Sequence, residues 1–218
     1  AIDCGVSKEK VTVINPGVEQ AKELDNKSLN KVESLLKVKT PRLITVSRFD
    51  KRKNHEKVIM ALRNLNQIYP DIVYICVGYG DEEANIKRLV KELDLEAQVM
   101  FFKDISDELK NALVAKSNIF IMPSIVHKKS VEGFGIAYVE AAQYGVPSIG
   151  GKDGGAPDAI DHKKNGLICD GNNLDDIYSS ISSMLENSKY LEYGKNAKDN
   201  VSKFHWPNII EEYKNILS

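Results

Sequence analysis

The stretch RLITVSRFDKRKNHEKVIMALRNLNQIYPDIVYICV, residues 42–77, decides the fold. Arg42 to Ser47 is a short apolar run, rich in β-branched residues and preceded by Pro41, which is the pattern of a buried strand. From Asn54 to Ile68 the period changes. Val58, Leu62, Leu65 and Ile68, with Ile59 and Ala61 beside them, fall on one face of a helix. Pro70 and Asp71 end that helix, and Ile72 to Val77 is again a continuous apolar strand.

The alternation continues downstream. Ile86, Leu89, Val90 and Leu93 mark a helix opened by Asp81-Glu-Glu83, acidic as a helix start prefers. Val99 to Phe102 is a short strand, Leu109, Ala112 and Leu113 mark a short helix, and Asn118 to Met122 is a further strand closed by Pro123-Ser124. Repeated strand and helix predict an α/β fold, a doubly wound, Rossmann-like parallel sheet with helices on both faces. Such sheets bind ligands beyond the carboxyl ends of their strands, so the loops after Ser47, Val77, Phe102 and Met122 are the ones to inspect.

Outside this core, Leu174, Ile177, Ile181, Met184 and Leu185 share a helical face. Pro207 to Leu217 reads as a last helix with Pro207 in its first turn. Val11 to Ile14 reads as a strand and Asn15-Pro-Gly17 as a turn. The expected division is a linker with a first strand and helix over 1–40, the ligand-binding domain over 41–203, and a terminal helix over 204–218.

Bulk properties narrow the function. Thirty basic residues against thirty-one acidic ones leave a net charge of −1, which argues against a protein built to hold nucleic acid. Cys4, Cys76 and Cys169 are widely spaced and odd in number, so no disulfide framework and a reducing, cytoplasmic setting are expected. No run is long enough to span a bilayer. The chain opens on Ala1 and leads straight into a loop, which reads as a fragment or processed product.

The strongest chemical signal is Glu132-Gly-Phe-Gly-Ile-Ala-Tyr-Val-Glu140. Helix starts leave amide N–H groups unpaired and carry partial positive charge, so they hold phosphate oxygens, and glycines let a ligand approach the backbone. At about 1.5 Å per residue, Gly135 to Glu140 spans roughly 7–8 Å, so a diphosphate at the helix tip would set its ribose near Glu140. Glu132 would stand on the other side, beside a sugar. Two glutamates at this spacing are common on charged helices. The sequence strand, Pro123-Ser124, turn, helix is what favours the phosphate reading. Gly78-Tyr-Gly80 follows a strand end and could equally be a tight turn.

These residues, in order, resemble a known family. Pro123-Ser124, Glu132-Gly-Phe-Gly-Ile136, Glu140-Ala-Ala142, Gly145-Val-Pro147, Gly154-Gly-Ala-Pro-Asp158 and Asn165-Gly-Leu167 are similar to the signature of family-four-type retaining glycosyltransferases, and Ser47-Arg48 to Lys53 to their Arg/Lys motif. The resemblance runs from Val11 to Tyr213. It implies the C-terminal, donor-binding half of a GT-B fold. It also implies a hexosyltransferase acting on a UDP- or GDP-linked nucleotide sugar and a glycan, lipid or polysaccharide acceptor. By the resemblance, Arg48 and Lys53 clamp the donor diphosphate in place of a metal, so no metal and no cofactor are expected. Glu132 contacts the sugar near the reacting carbon, Glu140 holds the ribose, and the amides of Phe134, Gly135 and Ile136, next to Gly133, meet the phosphates. Gly78, Phe102 and Lys103 line the nucleotide, although Lys103 stands where the family has glycine.

Lys51, Arg52 and the insert Ile125 to Val131, with His127, Lys128 and Lys129, read as solvated loop, and His55 as unremarkable. Phe204-His-Trp206 and the helix after it resemble the family's helix that crosses to the other domain. The acceptor half, with any peripheral attachment to the inner membrane face, is absent from this sequence, so little turnover is expected of it alone. The competing readings are a silent nucleotide-sugar scaffold and a GT-B epimerase. A dehydrogenase is disfavoured because no G-x-G-x-x-G follows the first strand.

Overall fold

A computed structural model of the chain describes residues 5–37 and 39–217; Cys4 lies outside them. The described elements are α1 (Asn26–Leu36), β1 (Arg42–Val46), α2 (His55–Ile68), β2 (Val73–Val77), α3 (Glu83–Glu92), β3 (Val99–Phe102), α4 (Asp107–Ala115) and β4 (Ile119–Met122). They continue with α5 (Ile136–Gln143), β5 (Ser148–Gly151), α6 (Ala156–Ala159), β6 (Gly166–Cys169), α7 (Leu174–Leu185), α8 (Tyr190–Asn200) and α9 (Trp206–Leu217). Six strands form one parallel sheet in the order β3-β2-β1-β4-β5-β6.

Alternate strand residues feed two cores. Ile44, Val73, Ile75, Val77 and Phe120 face α1, α4 and α5. Leu43, Tyr74, Cys76, Ile119 and Ile121 face α2, α3 and α7. Both faces are therefore apolar, as the continuous strand runs imply. Cys76 and Cys169 are buried free thiols, and burial pushes both thiol pKa values up.

The order 3-2-1-4-5-6 places a topological switch point between β1 and β4. From β1 the chain winds to one side, and from β4 to the other, so the two loops diverge and leave a crevice. The loop 47–54 after β1 and the loop 123–135 after β4 border it, and they hold the two motifs singled out from the sequence.

One expectation needs correction. Val11 to Ile14 forms no strand: Val13 is 76% exposed, and the pairing in this region is a single parallel bridge between Val18 and His205. Val18 N–H donates to Phe204 O at 2.8 Å and Trp206 N–H to Val18 O at 3.3 Å, so the segment is tied to the approach of α9 and not to the sheet. Within the linker, α1 packs beside α4 and buries Val32 and Leu36 in the common core. Strands β5 and β6 and helix α8 complete the sheet and its cover where the sequence reading had named only motifs.

Candidate functional site

The loop after β1 is fixed from below. Phe49 is buried and meets the His55 ring edge-on at 4.8 Å. Asp50 Oδ1 accepts from Lys53 N–H at 3.2 Å and caps the single 3₁₀ turn Lys51–Lys53. Asn54, in the left-handed region at φ 62°, donates through Nδ2 to Pro123 O at 3.0 Å and Gly171 O at 2.8 Å. One side chain thus joins the ends of β1, β4 and β6.

This geometry aims two cations at one carboxylate. Lys53 Nζ donates to Glu132 Oε2 at 2.6 Å, the Arg52 guanidinium bonds the same oxygen, and the Ser124 hydroxyl donates to it at 3.4 Å. Glu132 is 8% exposed. Its second oxygen, Oε1, has no partner among the described residues. The Gly154-Gly155 loop supports Glu132 from behind: Gly155 N–H donates to Glu132 O at 3.0 Å, and a Cβ at Gly155 would collide with Gly133 O.

Helix α5 begins at Ile136 with Gly135 as its cap at φ 81°. The Phe134 ring turns inward onto Phe204 at 5.3 Å between ring centres, leaving its backbone toward the site. The N–H groups of Phe134, Gly135, Ile136 and Ala137 have no acceptor among the described residues. Tyr138, one turn in, donates its hydroxyl to Met122 O at 2.6 Å and pins the helix to β4. Burial, with the Glu132 carboxylate nearby, pushes the Tyr138 phenol pKa up. A cavity of about 370 Å³ opens at this helix tip, lined by Pro16, Lys53, Met122 and residues 132–137. Unpaired amides, a helix start and an ammonium facing one space suit a phosphate.

The remaining predicted residues are placed less uniformly. Glu140 is exposed and lines a neighbouring cavity of about 410 Å³ between α4 and residues 19–25; a narrow gap lined by both Ala137 and Glu140 lies between the two spaces. Arg48 is exposed, makes no ion pair among the described residues and does not line the first cavity. Gly78 donates to Phe102 O at 2.9 Å and closely approaches Ser47, a backbone reason for that glycine. Phe102 is half-buried against the core, and Lys103 Nζ lies 5.5 Å from the centre of the Tyr79 ring. These three sit beyond β2 and β3, one strand and more from the switch point.

Arg52 corrects the sequence reading, which left it in solvent. Its nearest signal was its place beside Lys53 in the motif. The insert 125–131 is a mostly exposed turn closed by two hydrogen bonds of 3.0 Å between His127 and Ser130, as a solvated loop should be.

His55 is more than the sequence indicated. It is 1% exposed, with Nδ1 2.8 Å from Tyr74 Oη and Nε2 3.1 Å from Ser47 Oγ. Thr45 donates to the Ile121 carbonyl, so Tyr74, 2.8 Å from Thr45, must donate to Thr45. His55 then donates from Nδ1 to Tyr74, and its Nε2 lies 3.1 Å from the Ser47 hydroxyl, which also donates to Arg48 O at 3.1 Å. From His55 onward the hydrogen bonds run one way, through Tyr74 and Thr45 to the Ile121 carbonyl of β4. Burial, and secondarily Lys53, lowers the His55 pKa to about 3. An unfolded histidine, near 6.5, takes up a proton that the folded one refuses. This contribution to stability is complete above the unfolded value and is lost as pH falls toward about 3. Urea unfolding is expected to lose about 2 kcal/mol between pH 7 and pH 5, a slope that His55→Gln removes; equal slopes in both proteins refute the assignment.

The comparisons agree with this fold. A GDP-mannose-dependent alpha-(1-6)-phosphatidylinositol monomannoside mannosyltransferase of Mycolicibacterium smegmatis is 31% identical over 168 residues, 76% of this chain and 43% of that protein. The chain thus spans less than half of that relative. The crystal structure of Anabaena Alr3699/HepE in complex with UDP superposes at a TM-score of 0.84 and 23% identity, over 99% of this chain and 59% of that one. The C-terminal domain of a glycosyl transferase group 1 protein from Francisella tularensis superposes at 0.71 and 22% identity, over 86% of this chain and 97% of that domain. The neighbours are GT-B glycosyltransferases, and the sheet here is one Rossmann-like half of that architecture. Among the described residues no helix is long and apolar enough to cross a membrane. The family described as glycosyl transferases group 1 matches residues 26–200, well over half of the sequence, and the chain belongs to it.

Proposed function

We propose that this chain is the donor-binding domain of a retaining, metal-independent hexosyltransferase that moves a sugar from a UDP- or GDP-linked donor to a glycan, lipid or polysaccharide acceptor. The carrying observation is the row of unpaired amides at residues 134–137, opening on a cavity that also receives Lys53 and Glu132. The diphosphate rests on the start of α5, and Lys53 meets its β-phosphate. As the bond from the sugar anomeric carbon to the phosphate oxygen breaks, negative charge grows on that oxygen, and the amides and Lys53 stabilise it in place of a metal.

The free Oε1 of Glu132 takes the sugar hydroxyls and favours positive charge at the ring. The acceptor oxygen attacks on the same face, and its proton passes to the leaving phosphate. Arg48 closes over the diphosphate from the rim, Glu140 holds the ribose in the adjoining cavity, and the strand ends at Gly78, Phe102 and Lys103 take the base. The acceptor binds a second domain, which also carries any attachment to the cytoplasmic face of the membrane, and the chain alone turns over little. The mannosyltransferase name of one relative and the UDP complex of one structural neighbour support a nucleotide-sugar donor.

Calorimetric titration with UDP, GDP, ADP and NAD tests the reading. One nucleoside diphosphate is expected to bind, and Glu140→Ala to weaken it about tenfold through loss of a charge-assisted hydrogen bond. Preference for NAD, or indifference to Glu140→Ala, sinks it.

A further inference from the structure

Glu132 Oε2 is shared by two cations, and only one of them lines the cavity. The three side chains are largely removed from water, at 9% exposure for Glu132, 13% for Lys53 and 18% for Arg52. A diphosphate arriving on the α5 amides therefore competes with Glu132 for Lys53. Were Lys53 its sole cationic partner, its departure would leave a buried carboxylate with only the Ser124 hydroxyl, which is strongly unfavourable.

Arg52 removes that obstacle. Its planar guanidinium holds Glu132 on one side and lies 3.6 Å from Asp50 Oδ2 on the other, a two-sided grip suited to a rigid fork. Lysine is a compact charge on a flexible stem, suited to exchange between anions. The other cations of this loop, Arg48 and Lys51, are exposed and make no ion pair with Glu132 among the described residues.

We propose that Arg52 is a positioning residue for the donor: it stays on Glu132 and so frees Lys53 to move onto the diphosphate without leaving the carboxylate unpaired. This inference rests on the donor reading above. It makes Glu132 an internal competitor of the phosphate, so Glu132→Gln should bind a bare nucleoside diphosphate more tightly than the wild type.

The test is titration of UDP and GDP into the wild type, Arg52→Gln, Arg52→Lys, Glu132→Gln and the double variant Arg52→Gln/Glu132→Gln. The double variant removes both charges together and keeps the fold in reach if the single one is unstable. Arg52→Gln is expected to weaken binding about 30-fold, because Lys53 is then bound to Glu132 alone. The double variant should come within about threefold of Glu132→Gln, and Arg52→Lys, which keeps the charge but not the fork, should recover only part of the loss. An Arg52 that merely supports the fold, or that itself binds phosphate, leaves the double variant far weaker than Glu132→Gln. A double variant far weaker than Glu132→Gln overturns the proposal, as does an Arg52→Gln indistinguishable from wild type. Failure of the wild type to bind either nucleotide overturns the donor reading first.

Discussion

Lys53→Ala is expected to weaken nucleoside diphosphate binding about 100-fold, by truncating a desolvated ammonium that faces the phosphate. Lys53 is the cation that both lines the cavity at the α5 tip and is mostly withdrawn from water. The amides of residues 134–137 supply dipoles but no net charge. The variant should fold, because Glu132 keeps Arg52 and Ser124. Calorimetry at fixed low salt reads the affinity, with a thermal melt as the check on folding. A loss smaller than about threefold would move the phosphate away from Lys53 and break the link between the two motifs.

The second large effect concerns stability and binding together. Gly155→Val is expected to cost about 3 kcal/mol in urea unfolding, since a Cβ there overlaps Gly133 O and the obstacle is backbone that cannot rotate away. The displacement falls on Glu132 and Gly133, so nucleotide binding should fail in whatever remains folded. Gly133→Ala is the control, because a Cβ at Gly133 meets nothing within 4 Å. Its stability should stay within about 0.5 kcal/mol of wild type. Equal effects at the two glycines would mean that the loop yields, contrary to the packing described.

The legible parts of the sequence were those where a single period dominates. The runs 42–47, 72–77 and 99–102 and the helix 54–68 are long or apolar enough to declare themselves. Strand β5 reads Ser-Ile-Gly-Gly and β6 Gly-Leu-Ile-Cys, so their glycines signal turns, while the structure uses them where neighbouring loops and side chains crowd the sheet. Helix α8 carries Gly194 and few apolar residues, which hid its period. Val11 to Ile14 failed in the opposite direction: β-branched residues suggested a strand, but among the described residues no neighbouring strand pairs with it.

The same contrast holds in the site. Glu132, Lys53 and the start of α5 were found through motif order and come together in space. The roles of Arg52 and His55 depend on three-dimensional partners that local sequence does not encode. Arg52 needed Glu132, eighty residues away, and His55 needed Tyr74 and Ser47. Conversely, Glu140 lies beside the first cavity, in the next one, because a helix step carries it around the axis as well as along it.

The diverging crossovers at β1 and β4 have a mechanical corollary. The sheet is two wings formed by separate lengths of chain and joined at one central ladder, whose paired residues are Leu43 with Ile119 and Ile44 with Phe120, with both cores running across the join. Lys53 and Arg52 belong to one wing and Glu132 to the other, so their contact, with Asn54 beside it, clasps the seam at its open end. On the donor reading, an anion seated there would touch both wings at once, and a loss at either side would be read at the other.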